Sequence, residues 1–455
     1  MSSSMGRLML SLAVLTGIGC DRDIAEQPLA DVTAPSVAEQ HVKRNPVLHW
    51  NRVAGESFLE IGPVIDSWVF AILHAAIHDA VNGVERRYEP YTADLSSRGA
   101  SLDAAVATAA RDVLVALAPN TRERIEKEYR SALTAIPRGR ARNKGVKLGR
   151  HAARANLKRR SGDGIPVGLW PPQSGPITEP VYVPTGEPGD YAFTPPFDAP
   201  PLGPIALFPG WGRLTAFAVD VTTYGLPGPD ALTSEEYARD LNHLQSVGSL
   251  QSRTRTADQT EVAKFWFEPS PALNQMANRA LEKHQFDAWD AARTLALMYL
   301  TVADAGIVCF EAKYRFRFWR PYTAIRRADE DDNPRTMPDT AWLPLLWPSP
   351  DDPEPIFLIP PIPEYPSAAA LISAAAAQVL IDILGDEQHI EVTSPYLPGV
   401  TRRFTSFTHV AEEVGMSRVY GGIHFVRAVK DGAELGRSIG RDVSRLLPAA
   451  RRWEK

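Results

Sequence analysis

An all-α fold is predicted for this chain from three features. Apolar residues recur at helical spacing through most of the sequence, alanine-rich runs such as Leu102 to Leu117 and Ala368 to Leu384 favour helix intrinsically, and nothing between residues 46 and 160 alternates as a sheet would. With 455 residues, 44% of them hydrophobic and 23% charged, the chain can bury the core of one large or two medium domains. A formal net charge of -5 gives no electrostatic reason to expect nucleic acid or an anionic membrane as a general partner. Any anion chemistry must therefore come from a local cluster of cations.

The first residues read as a targeting segment. Arg7 precedes an apolar run, Leu8 to Ile18, that is too short to span a bilayer and ends in Gly19-Cys20. Residues 1–20 are thus expected to be an export signal resembling that of a bacterial lipoprotein, with Cys20 as the lipidated residue, although Gly17 stands where leucine is usual. A cleavable signal with an incidental cysteine, or a disordered N-terminus, is the alternative. On the export reading a periplasmic or cell-surface location is expected, with membrane attachment only through a lipid on Cys20. Residues 21–45, polar with scattered Pro and Ala, would form a flexible tether. Cys309 is the sole other cysteine, which excludes a disulfide framework and a Cys-rich zinc site; within an apolar helical run it reads as a core residue.

Residues 46–210 are expected to form an N-terminal helical region with a proline-rich wrap. Helices are predicted over Ser67 to Val81, Leu102 to Leu117, Arg122 to Leu133 and Ala141 to Leu157, and the prolines between Pro166 and Pro209 exclude long helices there. Residues 211–455 are expected to form a C-terminal helical bundle. Its periodicity starts near Leu214 and continues through Ser234 to Val247, Thr260 to Phe267, Pro271 to His284 and Asp287 to Arg317. A second proline-rich stretch, Pro338 to Pro366, leads into the Ala368 to Leu384 helix, stopped by Gly385. An extended segment around Ile390 to Pro398 follows, then helices over Ser406 to Gly415 and Gly421 to Leu447. Loops this long in a helical protein are commonly functional or wrap the bundle.

Three segments of the C-terminal region carry chemistry. In the first, Lys313 and Arg320 stand seven residues apart and would share a helix face if the helix continued, but Pro321 forbids continuation there, and residues 314 to 319 alternate polar with aromatic, so extended chain competes. The bland reading is a basic helix end. In the second, Pro360 to Pro366 delivers Ser367 to a helix N-terminus, where free N–H groups can bind an oxyanion; most serines so placed are simply N-caps. In the third, Arg418 and His424 are separated by a stretch containing Gly421 and Gly422, which let backbone approach a ligand closely. A lone histidine would more often be a core residue, but the flanking arginine and glycines favour function.

In order and spacing these segments resemble the motif trio of the vanadium-dependent haloperoxidase and PAP2-type acid phosphatase superfamily: Lys, six residues, Arg-Pro; then Pro-Ser-Gly-His; then Ser-Arg, three residues, Gly, one residue, His. Lys313 to Arg327, Pro360 to Leu380, Thr405 to Gly436 and Trp68 to Tyr91 are similar to bacterial members almost throughout. The resemblance implies two packed helical bundles and a site in the C-terminal one. It also implies that Lys313, Arg320 and Arg418 hold the equatorial oxygens of vanadate, or of phosphate, with Ser367 and the Ala368 N–H as neutral donors. His424 would be the axial ligand of vanadate in a peroxidase or the nucleophile in a phosphatase. The implied partners are hydrogen peroxide with a halide or small organic substrate. Phe310, Ile362, Phe318 and Trp319 are candidates for an apolar wall beside the anion, with core packing as the alternative.

Three positions depart from the pattern, the mildest being Ala368 where the family has glycine. Ala369 stands where the family has its acid–base histidine, and Ala428 stands where a carboxylate would follow His424 by four residues. Glu364 and Tyr365 are the nearby polar residues, and His284 or His409 are distant ones that would have to fold back onto the site. Positioned acid–base catalysis contributes about 10²- to 10⁴-fold, so a peroxidase of reduced capability is expected. A phosphatase or phosphotransferase with His424 as nucleophile, and a non-catalytic anion-binding relative, are the alternatives. Three clustered cations would repel one another without an anion, which argues that one binds. His74, His78 and Asp79 have a spacing that suits a metal on one helix face, but packing and hydrogen bonding are the expected role, since no further ligands announce themselves.

Overall fold

The computed structural model describes residues 45–57, 64–165, 176–200, 202–347 and 358–449. The predicted export signal, residues 1–20, and all but the last residue of the predicted tether lie outside them.

The architecture is all-α. Five helices come first: α1 (Pro46–Gly55), α2 (Ile65–Val84), α3 (Leu102–Leu117), α4 (Arg122–Ala135) and α5 (Arg140–Arg159). Asn45 and Ser101 cap α1 and α3 by accepting backbone N–H bonds, as short polar side chains at that position do. Helix α2 is buried on every side, while α3 and α5 approach so closely that a Cβ on Gly149 would stand 2.2 Å from the Ala105 carbonyl oxygen. Small residues at that seam let the backbones meet.

The described residues between 176 and 234 form no α-helix, only single 3-10 turns. The helical periodicity read from Leu214 onward therefore begins later, at Glu235, because Pro227 and Pro229 around Gly228 break the chain and the apolar residues from Leu214 to Leu226 pack as irregular loop. Then come α6 (Glu235–Val247), α7 (Ala257–Phe265), α8 (Ser270–Lys283) and α9 (Ala288–Phe316). Asp287 caps α9, and Arg317 ends it in the left-handed conformation at φ 54°. This 29-residue helix is the axis of the molecule, packing on α2 on one side and on the later helices on the other.

A one-and-a-half-turn helix, α10 (Pro321–Arg326), uses Pro321 as its first residue, followed by α11 (Ala368–Leu384) with Ser367 as N-cap. The expected extended segment is one arm of a hairpin: β1 (Glu387–Thr393) pairs antiparallel with β2 (Thr401–Ser406), with Ile390 opposite Phe404. Last come α12 (Phe407–Tyr420) and α13 (Val426–Val443). The predicted helix over Gly421 to Leu447 thus starts five residues late, since Gly421 to Phe425 form a turn. The main buried core runs from Val47 and the α2 side chains through α9 to α11, α12 and α13, and a smaller cluster forms around Tyr237, Phe318 and Phe425.

Candidate functional site

Helix α9 ends one turn beyond Lys313, and after Arg317 the chain runs extended to Arg320. Trp319 N–H donates to the Gly189 carbonyl and Tyr191 N–H to that of Arg317, so the wrap segment pairs with residues 317–319. The two competing readings of this segment each describe part of it: helix to residue 316, strand-like chain beyond. Lys313 and Arg320 do not share a helix face, yet both are fully buried and point at the same loop. Lys313 Nζ donates to the carbonyls of Pro363 (2.8 Å) and Glu364 (2.9 Å), and Arg320 Nε to that of Ile362 (2.8 Å). Proline-rich backbone lacks N–H groups to occupy its carbonyls, so residues 360–366 present unclaimed acceptors to these cations.

Arg418 lies in the last turn of α12, and His424 in the turn that joins it to α13. Gly422 adopts φ 75°, and a Cβ there would stand 2.5 Å from the Gly248 carbonyl oxygen. The glycine pair is therefore demanded by the neighbouring chain and by the turn rather than by a ligand. The new helix end after His424 is capped from outside: Asp240 on α6 accepts from Val426 and Arg427 N–H at 2.9 and 2.8 Å.

His424 has a defined partner on each nitrogen. Its Nδ1 lies 2.8 Å from Glu364 Oε1, which also accepts from Phe425 N–H at 3.0 Å, and its Nε2 lies 3.2 Å from Arg320 Nη1. Arg320 Nη1 also donates to the Ile423 carbonyl at 2.9 Å, while Nη2 is buried with no partner. Arg418 donates to the carbonyls of Phe267 (3.0 Å) and Trp266 and to Ser417 Oγ (3.0 Å). Each of the three cations thus has two backbone carbonyls as partners. The three cations do not need an anion to be tolerated, since six carbonyl dipoles already solvate them, and among their nitrogens Arg320 Nη2 is the one that stays buried and unpaired.

Burial dominates the electrostatics. It holds Lys313 down to about 7, with Cys309 and Glu364 opposing and Arg320 pushing the same way; it lowers Arg418 to about 10, and it lowers Arg320 as well. Burial together with Arg320, Lys313 and Arg418 keeps His424 well below its usual value, and burial raises Glu364 to about 8 against the pull of Lys313 and Arg320. Although the short contact has the geometry of an ion pair, His424 and Glu364 are read as a hydrogen-bonded pair with a neutral imidazole, because three nearby cations disfavour a fourth.

Ser367 caps α11, its Oγ accepting from Ala370 N–H at 3.5 Å, and it contacts none of the three cations through its side chain; its own N–H goes to the Ala428 carbonyl. Ala368 and Ala369 at the start of α11 are half-buried. Of the apolar candidates, Phe310 packs edge-on to Phe208 and near Trp211, Phe318 packs on Tyr237 and Phe425, Trp319 is buried in the same cluster, and Ile362 joins the main core. Core packing accounts for all four. His284 bonds to Gln388 and His409 packs edge-on against Phe404, so neither replaces the missing base. His74 bonds to Asn51 and His78 to the Glu89 carbonyl, Asp79 accepts from the N–H groups of Tyr91, Thr92 and Ala93, and no group of three metal-ligating side chains occurs among the described residues. Cys309 is a buried free thiol. Glu364, central to the site, was noted in the sequence only as a neighbour. A carboxylate alone within an apolar proline run was the signal.

Fold and site define a helical protein with a buried cationic pocket around one histidine. Residues 293–451 match the family of the VCPO second helical-bundle domain. The vanadium chloroperoxidase of Curvularia inaequalis is 24% identical over 279 residues, covering 48% of this chain and 45% of that protein, so the chain matches about half the length of this relative. A bacterial vanadium-dependent iodoperoxidase superposes with a TM-score of 0.72 at 21% identity, covering 94% of this chain and 100% of that one. A holo-type bacterial vanadium-dependent chloroperoxidase superposes with a TM-score of 0.66 at 17% identity, covering 84% and 91%. Residues 293–451 thus carry a VCPO-type second helical-bundle domain, and the chain shares its fold with bacterial vanadium-dependent haloperoxidases.

Proposed function

We propose that this chain is an exported vanadate-dependent peroxidase that uses hydrogen peroxide to oxidise a halide or a small organic substrate, with reduced capability because Ala369 replaces the acid–base histidine. The observation that carries the reading is Arg320 Nη2, a guanidinium nitrogen buried without a partner beside the lone-pair nitrogen of the site histidine. A buried unpaired donor costs about 1–3 kcal/mol, and an oxyanion oxygen is the partner it suits. The donor set fits vanadate: Arg320 Nη2, the third Nζ proton of Lys313, Arg418, Ser367 and the Ala368 N–H would hold its oxygens, and His424 Nε2 would be its protein ligand. Bound vanadate supplies a Lewis-acidic centre that activates peroxide. The chain's own part is to orient the anion, exclude water through complete burial of Lys313, Arg320 and Ser367, and keep the imidazole neutral. The same donors serve phosphate, with His424 as nucleophile.

The test is vanadate binding by calorimetry to wild type and H424A, with phosphate as competitor, followed by iodide and bromide oxidation in the same samples. Binding that depends on His424 and supports turnover is the expected result. Binding without turnover would favour phosphoryl chemistry or a non-catalytic role, and absence of binding would overturn the oxyanion site.

A further inference from the structure

We infer that Glu364 is the positioning residue of His424, taking over from the loop before α11 the carboxylate that the Ala428 position lacks. The tautomer of His424 follows from which neighbouring atoms can donate. Arg320 Nη1 is a donor under all conditions, so His424 Nε2, 3.2 Å away, must present its lone pair. Glu364 Oε1 accepts from Phe425 N–H at 3.0 Å and so faces His424 Nδ1, 2.8 Å away, as an acceptor; a carboxyl proton, when present, falls to the unpartnered Oε2, and Nδ1 carries its own proton. The two contacts agree on one neutral tautomer, with the Nε2 lone pair, now turned to Arg320 Nη1, as the one that would ligate or attack.

Glu364 is anchored through its backbone and one carboxyl oxygen, Oε1, while Oε2 is buried without a partner. It is fully buried, its backbone N–H donates to the Phe318 carbonyl at 2.8 Å, and its carbonyl accepts from Lys313 Nζ. The residue therefore joins all three segments: Lys313 and Phe318 from the first, its own place in the second, His424 and Phe425 from the third. Ala428, by contrast, offers only its backbone carbonyl, to Ser367 N–H. A carboxylate four residues beyond His424 would project from α13. Here the same chemical partner reaches the imidazole from the opposite wall of the site.

This inference deepens the proposed function, and its test separates the two. Selective ¹⁵N-histidine labelling and long-range ¹H–¹⁵N correlation report the His424 tautomer with no anion present, H424A supplying the assignment. Wild type and E364Q, whose amide oxygen can still accept, are expected to show the Nδ1–H tautomer, and E364A to show shifts averaged toward a mixture. Vanadate affinity by calorimetry is expected to fall about 10- to 100-fold in E364A, the usual cost of losing the partner of a ligating histidine, and to stay within about threefold in E364Q. An Nε2–H tautomer in wild type, or E364A with unchanged shifts and affinity, would overturn the inference. If vanadate binds no variant, the proposed function fails while the spectra still decide the role of Glu364. Should E364A not fold, the wild-type spectrum decides alone.

Discussion

Arg320 Nη1 stands 3.2 Å from His424 Nε2, and the other terminal nitrogen of the same guanidinium has no partner. One side chain therefore both fixes the direction of the imidazole and offers the open donor. Replacement by lysine keeps the charge but loses the fork that also spans the Ile362 and Ile423 carbonyls. R320K is expected to weaken vanadate or phosphate binding about 10- to 100-fold, in line with about 1.5–3 kcal/mol for a charge-assisted hydrogen bond. Calorimetry checks this, and an unchanged affinity would remove Arg320 from the site.

The restoring substitution at the family's histidine position gives a second prediction. Ala369 is half-buried at the second position of α11, so an imidazole has somewhere to go without entering the core. A369H is expected to raise the peroxide-dependent oxidation rate by about 10²-fold or more, the range of positioned acid–base catalysis, with little effect on anion affinity. Steady-state halide oxidation measured beside vanadate titration separates rate from binding. A variant that binds as wild type and turns over no faster would mean that proton transfer does not limit this protein.

Much of this was legible beforehand because helices announce themselves locally. The helical periodicity from Asp287 to Arg317 defined α9 almost to the residue, and the three segments were recognisable because their order and spacing are local properties. What the sequence did not display was pairing at a distance. The carbonyls of Trp266 and Phe267 that hold Arg418, the wrap that pairs with residues 317–319, and the second hairpin strand from Thr401 depend on partners far along the chain. Period-two alternation across Phe316 and Phe318 pointed two ways because the segment is helix at one end and extended at the other. Glu364 escaped for the same reason: its partner lies 60 residues further on.

Close packing of α11 on α13 sets a third expectation. A Cβ at Gly436 would stand 2.2 Å from the Leu371 carbonyl oxygen and 3.0 Å from Ala375 N, and both are helical backbone that cannot turn aside. G436A must therefore push the helices apart. The cost should be about 3 kcal/mol, at the upper end of overpacking, with a lower denaturation midpoint. Since α13 begins two residues after His424, vanadate affinity should fall with it. Gly162, where nothing lies within 4 Å, gives the neutral control G162A.

The buried histidines of α2 set the acid limit of the fold. His74 bonds through Nε2 to Asn51 while its Nδ1 is buried and unpaired, and burial lowers it to about 3; His78 is lowered to about 4, again chiefly by burial. Both are neutral when folded. Below pH 6.5 the unfolded chain binds protons that the folded chain does not, so stability is fully present above that pH and is lost as pH falls toward the folded values. The slope is at most about 1.4 kcal/mol per pH unit for each histidine. Asp66 and Glu364, both raised to about 8 by burial, work in the opposite sense, since folding makes them take up protons below that pH. The informative quantity is therefore a difference between variants. H74Q, whose amide nitrogen can still donate to Asn51, should show a stability profile between pH 6.5 and 4.5 that is shallower than wild type by the equivalent of one proton, measured by urea unfolding at each pH. Parallel profiles would mean that His74 is protonated in the folded protein, contrary to its single polar partner and unpaired Nδ1.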